Sequence, residues 1–110
     1  MPHAMSSQRE HFRIRYPERE TPWLTVGESA FAIHDLSEGG ARLQRNSVFR
    51  HGLPPQDISV VFPDGSEFST TAVFMRGTAD GIAIRFSRLV PLARILAEQR
   101  RLRVRFSHVD

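Results

Sequence analysis

The stretch HDLSEGGARL, residues 34–43, sets Asp35, Ser37, Gly39 and Gly40 close together directly after the apolar run SAFAI. On extended chain Asp35 and Ser37, two apart, project from one face. A carboxylate accepts hydrogen bonds from N–H groups, and a hydroxyl both donates and accepts. Gly40 lets the backbone turn and approach a neighbour without a Cβ in the way. The same residue types build an ordinary turn, so the stretch is a polar corner that could also bind. The pattern Asp-x-Ser-x-x-Gly occurs once in the chain.

A second group of chemistry-bearing residues lies upstream. Arg9 and Arg13 form an Arg-x-x-x-Arg pair, a spacing that recurs at Arg15/Arg19 and Arg101/Arg105 and so means little by itself. Its position distinguishes it: just before and just inside the first strand, with the Asp-Ser-Gly corner at the end of the next. Arginine offers a planar fork for phosphate oxygens and guanine edges and can stack on flat rings. All fifteen basic side chains other than histidine are Arg, none is Lys, and the formal net charge is +3. An anionic partner with a planar base fits that chemistry.

Other chemistry finds little support. There is no cysteine, hence no disulfide or thiolate metal site. The five histidines, at 3, 11, 34, 51 and 108, show no paired metal-ligand spacing. His34, Asp35 and Ser37 are the residue types of a hydrolytic triad, but triads are assembled from distant segments. No nucleophile elbow or phosphate-cradling glycine loop is present. These readings predict a protein that is not an enzyme and carries no metal or cofactor. No apolar run approaches the ~18 residues that cross a bilayer, and the N-terminus has no hydrophobic signal core, which predicts a soluble cytoplasmic protein.

The elements that must position these residues follow from periodicity. HFRIRYP alternates, with Phe12, Ile14 and Tyr16 on one side and His11, Arg13 and Arg15 on the other, which predicts a half-buried first strand. ESAFAIHDL and GARLQ predict two more strands, and residues 46–57 read as a loop. ISVVFPDGSEFSTTAVFMRG predicts a hairpin through PDGS, and GIAIRFSRL a further strand. From Pro91 the spacing of Leu92, Ile95, Leu96 and Leu102 predicts a helix that packs across the strands or plugs one end. Trp23 is expected to pack in the barrel. Arg100, Arg101, Arg103 and Arg105 crowd the end of the helix and the tail, where cations suit the helix dipole. Many short strands with one helix predict a closed or nearly closed antiparallel barrel.

With these residues in place, the segments QREHFRIRYP, HDLSEGGARL and GIAIRFSRL resemble a PilZ domain, the bacterial receptor family for cyclic di-GMP. The resemblance runs from Gln8 to the C-terminal helix and includes both motifs and Leu43, which commonly follows the second. It implies a mainly β fold, a six-stranded antiparallel barrel with a C-terminal helix, over residues 8–106. Residues 1–7 would then be an N-terminal arm, with 1–4 a possible tag remnant. It also implies a cyclic di-GMP site built from Arg9, Arg13, Asp35, Ser37 and Gly40. Many members carry a further Arg before the first motif arginine; here it is Gln8, which bears on how many ligands bind.

The ligand matches these residues chemically. Guanine O6 and N7 suit an arginine fork, and Arg9, Arg13 and secondarily Arg15 are candidates for base or phosphate contacts. Asp35 is placed to accept from guanine N1–H and N2–H₂. The expectation is a stand-alone receptor that orders its N-terminal arm on binding and signals to an unidentified effector protein, with no membrane or nucleic-acid polymer as partner. Two rivals remain: a small basic barrel binding single-stranded nucleic acid, and a PilZ-like adaptor acting through protein contacts without ligand.

Overall fold

The computed structural model describes residues 13–106. They form seven strands and one helix: β1 (Ile14–Arg15), β2 (Trp23–Val26), β3 (Ser29–Ser37), β4 (Gly40–Leu43), β5 (Gln56–Val61), β6 (Glu67–Thr78), β7 (Gly81–Phe86) and α1 (Leu92–Phe106). The strands pair in the order β3-β2-β5-β6-β7-β4, and β4 returns to β3, closing a six-stranded antiparallel barrel. The expected architecture is thus what the chain forms, with one strand added. β1 lies outside the ring on the edge of β3, with Ile14 opposite Leu36 and Arg15 opposite Asp35.

Which segments fill the ring differs from expectation. HFRIRYP is expected as the first barrel strand, yet within the described residues only Ile14–Arg15 pairs. Pro17 cannot donate to a ladder, and a 3-10 turn at Glu18–Glu20 follows it. The first ring strand is instead β2, four residues too short to show a clear alternation. Its Trp23 is 49% exposed, so the expectation that it packs in the barrel is wrong: Leu24, next in line, takes the inward position and is fully buried.

Leu24, Ile33, Leu36, Leu43 and Val60 fill the barrel from its strands. Burying each such side chain contributes on the order of 1.5–3 kcal/mol. Phe49 joins them from the connection between β4 and β5 with 2% exposure. The Asn46 side chain holds that connection by accepting from the N–H groups of Val48 and Phe49 at 3.0 and 3.2 Å.

The expected hairpin forms between β5 and β6, with Gly65 at φ 90° in its turn. Asp64 accepts from the Ser66 N–H at 2.9 Å, and from Arg94 of the helix at 3.0 Å. Arg94 and Ser66 together hold the Asp64 carboxyl well below the usual carboxylate range. The Arg94 guanidinium also lies 4.0 Å from the centre of the Phe62 ring. Further along α1, Glu98 is buried, accepts from the Tyr16 hydroxyl at 2.9 Å and pairs with Arg101, which reaches Glu20 at 2.8 Å. Both anchor points adjoin the β2–β5 pair where Trp23 faces Val61, so the helix covers that mouth of the barrel. Its buried stripe is Ile95 and Glu98, with Leu102 packed against the core. Leu92, expected on that stripe, is instead 41% exposed. Within the described residues no helix is long and apolar enough to cross a membrane.

Candidate functional site

Strict alternation along β3 would send Asp35 to the same side as Ile33, into the core. The register shows why it does not: Ile33 faces Leu43 and Asp35 faces Arg42, so His34 is an extra residue, a β-bulge. The bulge reverses the phase of the strand. Ile33 and Leu36 both point inward with no exposure, and Asp35 and Ser37 are turned to the outer wall. A matching bulge lies in β6, where Phe74 faces Ile84 and Arg76 faces Ala83, leaving Met75 as the extra residue. Phe74 packs against the core while Met75, Arg76 and Thr78 line the outer surface.

Between these two bulges the outer wall carries a pocket of about 270 Å³. Arg13, Asp35, Ser37, Gly40, Arg42, Met75, Arg76 and Arg85 contribute to its lining. Four of the motif-derived candidates therefore meet at one place. Continuing the β1–β3 register by one residue sets Arg13 opposite Ser37. Arg15 falls outside the lining but stays close, with Nε 3.7 Å from Asp35 Oδ1. Gln8 and Arg9 lie outside the described residues.

Among the described residues Asp35 is the one carboxylate of the lining, against four arginines. Its side chain is only 4% exposed, and Oδ2 pairs with Arg42 NH2 at 2.6 Å. Arg42 also reaches Asp80, in the turn after β6, at 3.5 Å. Arg15, Asp35 and Arg42 are thus cross-strand partners on β1, β3 and β4, all on one face. The Ser37 hydroxyl donates to the Gly40 carbonyl oxygen at 3.3 Å, across the two-residue turn Glu38–Gly39.

Gly40 is needed here, though not for turning. Its φ is not positive, and a Cβ at that position would collide with the carbonyl oxygen of Ile84 on β7. The glycine lets β7 come close and so keeps Arg85, which pairs opposite Gly40, at the pocket. The turn itself is fastened from outside: the Phe86 N–H donates to Gly39 O and the Val90 N–H to Glu38 O, each at 2.8 Å.

Arg42, Met75, Arg76 and Arg85 are site residues that the motifs do not announce. Alternation offers a partial signal, since Arg42 and Arg85 take the outward positions of GARL and GIAIRF. Arg76 had no such signal, because alternation from the inward Phe74 would turn it to the core and only the bulge sets it beside Met75 on the outer side. Within the described residues no three metal-ligating side chains cluster.

A wall of this kind, on a six-stranded barrel with a covering helix, can be set against known families. The PilZ domain family matches residues 7–103, nearly the whole chain. The chain belongs to the PilZ family. It is accordingly a member of a family of cyclic di-GMP receptor domains. No curated protein and no solved structure matches it. In this PilZ domain both motifs border one pocket in their described parts, Arg13 from the first and Asp35, Ser37 and Gly40 from the second.

Proposed function

We propose that this PilZ protein binds cyclic di-GMP in the pocket between the two bulges and passes the signal to a partner protein. The observation that carries the reading is the convergence of Arg13, Asp35, Ser37 and Gly40 on one wall where, among the described residues, four arginines face a single carboxylate. Clefts dominated by one sign of charge concentrate ligands of the opposite sign, and the ligand carries two phosphates. Its volume falls just below the ~300–1,000 Å³ of pockets that enclose a whole small ligand, so it takes one nucleotide end. Arg9, Arg13 and Gln8 would cover the remainder, with Arg15 as a further phosphate contact. Asp35 accepts from the guanine edge and Ser37 keeps its lone pairs for the ligand while donating to Gly40. Arg76 and Arg85 meet phosphate oxygens, and the Met75 thioether supplies apolar surface for the base.

Transmission follows from how β1 is tied. Arg13 leads directly into β1, and Tyr16 just beyond it donates to Glu98 of the helix. Capture of Arg13 thus acts on a strand bonded to α1, changing the surface that a partner meets. Titration calorimetry with cyclic di-GMP tests the reading. Saturable heat that weakens at least about tenfold in Arg13→Ala and Asp35→Ala supports it. Absence of binding at ligand concentrations on the order of hundreds of micromolar overturns it.

A further inference from the structure

The buried ion pair in the pocket wall leaves two polar atoms unserved, and they are of opposite kind. Within the described residues, Asp35 Oδ1 accepts no hydrogen bond and Arg42 Nε donates none, although both atoms are shielded from solvent. Buried polar groups are nearly always paired, so a spare acceptor and a spare donor in one ion pair call for a reason. The pair itself is firm: Asp35 Oδ2 meets Arg42 NH2 at 2.6 Å. Asp80 Oδ1 lies 3.5 Å from NH1, which steadies the guanidinium from a second side. Among the described residues Arg15 is the cation beside Oδ1, 3.7 Å away with 82% of its side chain exposed, a cover that a ligand can displace.

A ligand edge with a donor beside an acceptor would satisfy both spare atoms. The Watson–Crick edge of guanine has that order, N1–H next to O6. We propose that Arg42 is a specificity-determining residue, which donates to guanine O6 while holding Asp35 in place for N1–H. This rests on the reading of the pocket as a cyclic di-GMP site. Adenine offers the same two kinds of group in reversed order, N6–H₂ and then N1. To use the same two atoms it must be turned over, which carries its sugar and phosphate away from the arginines that receive those of guanine.

The test is calorimetric titration of the wild-type protein and Arg42→Lys with cyclic di-GMP, cyclic di-IMP and cyclic di-AMP. The inosine ligand keeps O6 and N1–H and lacks the 2-amino group. Lysine keeps a cation for Asp35 and loses the forked donors. Wild type should bind the guanine and inosine ligands within several-fold of each other. Cyclic di-AMP should bind on the order of tenfold to a hundredfold more weakly. Arg42→Lys should lose that preference, with its fold checked by circular dichroism. The wild-type series stands even where the variant does not fold, because equal binding of cyclic di-AMP and cyclic di-GMP overturns the proposal. If wild type binds and Arg42→Lys keeps both affinity and preference, this proposal alone fails. If wild type binds no cyclic dinucleotide, the receptor reading fails and takes this one with it.

Discussion

Gly40 and Gly81 carry one constraint at the two ends of the ladder between β4 and β7. A Cβ on Gly40 would strike the Ile84 carbonyl oxygen, and one on Gly81 the Leu43 carbonyl oxygen, neither of which can move without breaking the ladder. Gly40→Ala should therefore lower stability by about 1–3 kcal/mol in urea unfolding, as overpacked sites do. Gly39 differs, since a Cβ there would meet Leu89 only at an ordinary 3.7 Å, so Gly39→Ala should be close to neutral. Finding the two substitutions equally costly would refute this account of Gly40. At this scale the second motif was readable because its residues are rare in that pattern and close in sequence. Alternation turns Arg42 and Arg85 outward, but it could not join them to Arg76 in one site, because the three reach the pocket from three strands and nothing in their spacing links them.

The strands and the helix were readable where a signal was strong. The PDGS turn, the GIAIRF alternation and the helix after Pro91 all lie where periodicity placed them. What escaped were the two bulges, because an extra residue leaves composition unchanged and shows itself only when the partner strand is known. β2 escaped through its brevity, and Phe49 because a buried anchor in a loop has no periodicity at all. Between helix and strand, Tyr16 and Glu98 form the principal buried polar tie. Tyr16→Phe leaves Glu98 with Arg101 as its remaining side-chain partner and should cost about 1–2 kcal/mol in thermal or urea unfolding. Burial first, then the Glu98 charge and hydrogen bond, raise the Tyr16 pKa well above its usual 10.0. The folded state therefore keeps a proton that the unfolded chain gives up, so this stabilisation is complete below pH 10 and declines as pH rises further. Wild type should lose stability above about pH 10 more steeply than Tyr16→Phe; parallel curves would remove Tyr16 as the cause.

For the molecule as a whole, charge and topology decide what can be measured. The pocket's excess of arginine over carboxylate predicts that cyclic di-GMP affinity falls several-fold between about 0.05 and 0.5 M salt. Salt-independent binding would argue that apolar contacts with Met75 dominate instead. Topology adds a kinetic expectation. β3 and β4 are joined by two residues, so the Asp35–Arg42 pair comes from a local hairpin. Arg76, Arg85 and Met75 arrive only when β7 docks on β4 across some forty intervening residues, the step that closes the ring. Contacts of such long sequence separation are slow to form. A half-built barrel would hold the carboxylate and Arg42 but lack Arg76 and Arg85. A ligand that needs both can recognise only the closed ring, so saturating cyclic di-GMP should slow unfolding and leave the refolding rate nearly unchanged in stopped-flow traces. On the proposed reading the seam between β4 and β7 is a latch as well as a wall: occupancy would report that the ring is shut, and the messenger would prolong the lifetime of the fold that receives it.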